Sequence, residues 1–201
     1  DVLGAWGRSE RPESVAHALC AFAEQGAAQA LPSAIAVVGT AASGRPGLLL
    51  DLARKAPASL RAELIALLDS VDDPRELKAF AETVLKGISP AGGLALARSA
   101  ALPELRVAML TKLGERGEAR LVVDRLPDSP ARLFLQAELL DAYSPQQARE
   151  IVRSCFQRLQ PHLIAEILPL IPPELACRHW KESPAHSWSF FAHRLPAAAL
   201  P

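Results

Sequence analysis

The sequence has no net charge, with 22 Lys and Arg against 22 Asp and Glu in 201 residues. That balance argues against a protein that wraps nucleic acid, because such proteins are usually basic. Aromatic residues are scarce at 5%, and there are only three Cys. Cys20, Cys155 and Cys177 are odd in number and widely spaced, so they read as free, buried thiols of a reducing, cytoplasmic setting. Long apolar runs are missing. The longest charge-free stretch, Gln25 to Gly44, is interrupted by Gly26, Pro32, Gly39 and Gly44, whereas a membrane span needs about 20 predominantly apolar residues. No basic start leads into an apolar core, so no secretory signal is read. Strand-type alternation of apolar and polar residues is never sustained. The chain opens on Asp1 and holds its one Met at position 109, which reads as a processed form or a segment of a longer protein.

Half of the residues are hydrophobic, which excludes a disordered chain. With 37 Ala and 32 Leu, these two residues make up about a third of the sequence and favour helix. The 17 prolines look out of place until their positions are read. Proline suits the first turn of a helix, where its missing N–H costs nothing. Pro46, Pro57, Pro74, Pro90, Pro103, Pro130, Pro145, Pro161, Pro173 and Pro184 each precede apolar residues at helical spacing. Asp73, Ser89, Ser129, Ser144 and Ser183 stand before five of them as cap residues. One further helix is expected near Glu118 without a proline. Apolar stripes follow, such as Leu60, Leu64, Leu67, Leu68 and Val71, or Leu77, Phe80, Ala81, Val84 and Leu85, or Ile151, Val152, Cys155, Phe156 and Leu159.

The expected helix starts form two interleaved series. One is Pro46, Pro74, Pro103, Pro130 and Pro161; the other is Pro57, Pro90, Glu118, Pro145 and Pro173. Two starts per period of about 28–30 residues indicate stacked helical hairpins, each too small to bury its own apolar face. The sextets Leu60–Ile65 and Leu135–Leu140 resemble one another, with Leu105–Leu110 a looser copy. This pattern resembles the short HEAT-like helical repeats of bacterial proteins, and the repeats that trail bacterial nucleotide-binding switch proteins. The resemblance covers Pro46 to Ser183 and lies in period and helix character. It implies an all-α solenoid of about five to six antiparallel hairpins that binds a partner or scaffolds an assembly. One repeat domain is expected over 1–201, with irregular helices in 1–44, repeats in 46–183 and an aromatic cap helix in 184–201.

Constellations with chemistry are few. Gly39 to Arg45 follows the apolar run Ile35–Val38 and imitates a phosphate loop, but Arg45 and Pro46 stand where Lys and Ser/Thr are needed. The better reading is a helix end and turn, with Gly44 and Gly47 at permissive angles. Cys177, His179, His186 and His193 invite a zinc reading. Their spacing is too wide for the usual tight ligand pairs, so the histidines are expected on helix surfaces. Glu63 and Glu138 occupy matching places in the resembling sextets, which suggests inter-repeat bridges rather than an acid–base pair. No nucleophile has an evident base, and no catalytic, cofactor or metal site is assigned. Candidate partner-binding residues are Arg149 and Arg153, four apart on one helix, with Trp180, Trp188, Phe190 and Phe191 in the C-terminal segment. Arg pairs suit acidic partners, and Trp and Phe are common interface anchors. The aromatic segment also reads as a cap over the last repeat. The expected partner is another protein or a neighbouring domain rather than nucleic acid, with no membrane role. The alternatives are a regulatory arm of a larger signalling or defence protein, and a HEAT-like enzyme or nucleic-acid-processing protein.

Overall fold

The computed structural model describes residues 45–57, 60–68, 71 and 73–179, together with Pro32, Ile35 and Ala36. Among these the fold is all-α: ten α-helices and two short 3-10 helices, with no strand. The α-helices are α1 (Arg45–Lys55), α2 (Arg61–Leu67), α3 (Pro74–Leu85), α4 (Pro90–Ser99) and α5 (Pro103–Lys112). They continue with α6 (Arg116–Val123), α7 (Pro130–Ala137), α8 (Pro145–Arg158), α9 (Pro161–Ile167) and α10 (Pro173–His179). The 3-10 helices, Leu140–Ala142 and Leu168–Leu170, follow α7 and α9. The expected irregular helices of 1–44 and the aromatic segment of 184–201 lie outside the described residues, apart from helical Pro32, Ile35 and Ala36.

Proline starts the helices as anticipated. Seven of them, α3, α4, α5, α7, α8, α9 and α10, have proline as their first residue. Four side chains cap the N–H groups that the first turn leaves without intrahelical partners. Asp73 accepts from the Arg75 N–H at 2.9 Å, Ser89 from Gly92 at 3.2 Å, and Ser129 from Arg132 at 3.1 Å. Ser144 accepts from the Gln147 N–H at 3.4 Å, and its own N–H donates to Gln147 Oε1 at 3.2 Å, closing a capping box.

Three starts differ from expectation. α1 begins on Arg45, one residue before Pro46, and places Gly47 inside a helix rather than at a positive φ. Pro57 opens a turn instead of a helix: its carbonyl accepts from the Leu60 N–H at 3.0 Å, and α2 begins at Arg61. α6 begins at Arg116, two residues before Glu118, with Glu115 as an N-cap whose side chain makes no capping bond. Starts at 61, 90, 116, 145 and 173 are separated by 29, 26, 29 and 28 residues, which is more even than the proline positions alone. Among the described residues, the glycines that take positive φ are Gly87 (72°) and Gly114 (84°). They follow α3 and α5, where a left-handed residue ends a helix at little cost only when it lacks a Cβ.

The resembling sextets are not structurally equivalent. Leu60–Ile65 forms the start of α2, whereas Leu135–Leu140 runs out of α7 into a 3-10 helix. Glu63 is an exposed residue of the first turn of α2, and Glu138 is the half-buried C-cap of α7.

The chain divides into two compact units, one ending at Leu113 and one beginning at Gly114. In the first, α1 contacts α2 and α3, while α5 contacts α3 and α4. Its core includes Leu49 and Leu52 of α1, Leu64 and Ile65 of α2, and Leu77, Phe80 and Val84 of α3. In the second, α7 contacts α6, α8 and α9, and α8 contacts α10. Phe134, Ile151, Val152, Cys155, Phe156, Leu163, Ile164 and Ile167 form the centre of its core. Each unit therefore joins helices that are two places apart in sequence as well as immediate neighbours. Among the described residues, no helix is long and apolar enough to cross a membrane.

Candidate functional site

The second unit carries a groove of about 290 Å³ lined by Asp124, Arg132, Leu133, Gln136, Tyr143, Gln147, Glu150, Ile151 and Ser154. Two helices supply most of it. On α8, positions 147, 150, 151 and 154 recur at steps of three and four, so they share one helix face. Leu133 and Gln136 of α7 stand three apart and do the same. Asp124 comes from the C-cap of α6, and Tyr143 from the residue after the 3-10 helix.

Arginine side chains fix these segments. Arg120 Nη1 donates to the Ala142 carbonyl at 2.7 Å, and Arg116 Nη1 to the Glu138 carbonyl at 3.2 Å and to the Asp141 carboxylate. Arg132 Nη1 donates to the Leu126 carbonyl at 3.1 Å. The first unit repeats both arrangements. Arg61 Nη1 reaches forward to the Val84 carbonyl at 2.8 Å and to that of Lys86, and Arg106 Nη2 reaches back to the Ala100 carbonyl at 2.8 Å. Carbonyls at helix C-termini lack intrahelical partners, and a fixed guanidinium fork satisfies them.

Tyr143, the only tyrosine of the chain, lines the groove. Its hydroxyl donates to Asp124 Oδ1 at 2.6 Å, and Gln136 Nε2 donates to the same oxygen at 3.3 Å. Arg120 lies over the Tyr143 ring, 4.7 Å from its centroid, and its Nε stands 3.5 Å from Asp124 Oδ2. Burial, reinforced by the Asp124 carboxylate, pushes the tyrosine hydroxyl above its ordinary range. The Asp124 charge is thus answered from three sides. Gln136 is buried, in line with the rule that buried polar groups have hydrogen-bond partners. Beyond the groove, Arg158 grips Asp128 through two 3.0 Å bonds, and this hydrogen-bonded pairing, helped by Arg132, holds the Asp128 carboxyl below its ordinary value.

The residues proposed from sequence fall elsewhere. Arg149 and Arg153 are exposed on a different face of α8 and do not line the groove. Trp180, Trp188, Phe190 and Phe191 lie outside the described residues, as do Cys20, His186 and His193. His179 is buried at the end of α10 rather than on a helix surface. Among the described residues, no group of His, Cys, Asp or Glu could hold a metal ion. Ile35 and Ala36 are helical, so the apolar run before Gly39 does not enter a phosphate loop as a strand at those positions. Cys155 and Cys177 are free thiols, the first buried and the second half-buried. Asp124, Tyr143 and the line Gln147–Glu150–Ser154 are groove residues that no sequence motif marks. That line stands in the sequence as polar residues at helical spacing beside Ile151, a pattern that any solvated helix face shares.

No protein-family model, curated protein or solved structure matches the chain.

Proposed function

We propose that the chain is a non-catalytic interaction module, an α-solenoid of HEAT-like hairpins whose surface binds another protein in a reducing, cytoplasmic setting. The observation that carries this reading is the contact, within each unit, between helices two places apart: α1 with α3, α3 with α5, α7 with α9 and α8 with α10. Such contacts are the kind that stacking one hairpin on the next produces, and the recurring arginine-to-carbonyl bonds support the same reading. Stacked hairpins expose extended faces suited to binding. The chemistry of the groups available favours binding over turnover. The Tyr143 proton is held by Asp124, and burial pushes the Cys155 thiol up to about 12, far from a reactive thiolate. Exposed Arg149 and Arg153, and the C-terminal Trp180, Trp188, Phe190 and Phe191, belong to the proposed contact surface alongside the groove.

The test is selection of a random heptapeptide display library on the immobilised full chain. Enrichment of a consensus that binds as free peptide, and is competed by soluble chain, is the expected outcome. A library that yields no consensus over repeated rounds overturns the reading.

A further inference from the structure

The groove of the second unit has one polar line on α8, and its members differ in how far they are already engaged. Gln147, Glu150 and Ser154 span two helical turns, about 10 Å. That is the length of three residues of extended chain at about 3.3 Å each. Ile151 and Leu133 supply apolar surface beside the line. Asp124 is committed to Tyr143, Gln136 and Arg120. Arg132, the one cation lining the groove, is bound through Nη1 to the Leu126 carbonyl and stands close enough to Asp128 to lower its pKa. Glu150 is exposed and makes no ion pair or side-chain hydrogen bond among the described residues. The Ser154 hydroxyl is likewise without a partner there. Gln147 Oε1 accepts from Ser144 in the capping box, which leaves its Nε2 free to donate.

We propose that this groove takes a short extended segment of a partner protein, with a Lys or Arg side chain set against Glu150. The inference rests on the reading of the chain as an interaction module and names the chemistry of its partner. Gln147 Nε2 meets a main-chain carbonyl at one end of the segment, and the Ser154 hydroxyl meets a main-chain amide at the other. The aliphatic stem of the basic side chain lies along Ile151 and Leu133 while its charged head reaches the Glu150 carboxylate. A cavity of about 290 Å³ sits at the small end of ligand sites, as a short segment requires.

The experiment repeats the heptapeptide selection on the native chain, on Glu150→Gln and on Glu150→Lys. Glu174→Lys, an exposed charge reversal on α10, serves as the control. Circular dichroism verifies that each variant folds. The native chain is expected to enrich peptides with Lys or Arg at one fixed position, with affinity falling as salt rises. Glu150→Gln weakens the selected peptide about threefold, the scale of one exposed charge pair. Glu150→Lys weakens it about tenfold and turns the preference to Asp or Glu at that position, since a like charge now opposes the original ligand. Glu174→Lys leaves affinity within about twofold. A consensus without a basic residue, or a basic consensus unmoved by Glu150→Lys, overturns the groove assignment and leaves the interaction module standing. A library that enriches nothing overturns both.

Discussion

Cys155 has its Sγ 3.7 Å from the Leu133 carbonyl, and burial pushes its pKa up to about 12 from 9.0. In the unfolded chain the same thiol releases its proton near its ordinary value. Between those two values the folded state binds more protons than the unfolded one, so stability falls as pH rises. The contribution is fully present below about pH 9 and is lost toward pH 12. Tyr143, also shifted upward, adds to the same alkaline loss, starting near the ordinary tyrosine range. Urea unfolding at pH 8 and pH 10.5 checks the sign: the midpoint is expected to fall at the higher pH, and to fall less in Cys155→Val. An unchanged or rising midpoint contradicts the buried thiol. Peptide mapping after alkylation at pH 8 offers a second readout, with Cys155 protected in the folded chain and labelled once it unfolds.

Among the elements, α8 shows best how local sequence sets a boundary. Ser144, Pro145 and Gln147 provide cap, first-turn proline and reciprocal acceptor within four residues. Ser144→Ala removes one half of the box directly and loosens the other. About 1 kcal/mol of stability is expected to go, seen as a melting point lower by about 2–4 °C in a chain of this size. A melt unchanged within 1 °C (about a quarter of that effect or more) contradicts the capping role. The same helix shows what was legible beforehand. Its cap, its proline and the stripe Ile151, Val152, Cys155, Phe156 and Leu159 were all read from sequence, and all five stripe residues are buried. These signals are local, since a cap bonds within three residues and a stripe follows the helical repeat. The groove was not legible. Its Asp124–Tyr143 bond joins residues 19 apart, and nothing in their spacing announces it. Gly87 and Gly114 were missed for a different reason. They mark helix ends, each close behind a Lys, and no periodic spacing sets them apart from the other glycines of the chain. Pro57 misled because a proline that starts a turn looks, in sequence, like one that starts a helix.

At the scale of the whole chain, the two units show the same internal logic. Lys112 meets Glu82 at 2.6 Å in the first, and Arg158 meets Asp128 at 3.0 Å in the second, each across 30 residues. The forward-reaching arginine-to-carbonyl bonds of Arg61, Arg116 and Arg120 span 22 to 25 residues, while those of Arg106 and Arg132 span six. Within each unit, these side-chain contacts thus recur at about one period. If the hairpins are stacked in series, stability is a sum of repeat and nearest-neighbour terms, and damage fades with distance along the chain. Phe156→Ala tests this. The side chain is buried in the core of the second unit, and its removal is expected to cost about 3–5 kcal/mol there. Native-state hydrogen exchange then reads where the loss is felt. Serial stacking requires protection to fall most in α7 to α10 and least in α1 and α2, with the reverse ordering for Phe80→Ala in α3. Equal loss across all ten helices, for both variants, marks one all-or-none core and removes the solenoid from the proposed function. A graded response retains it and gives the stretch over which binding at one hairpin is felt by the next.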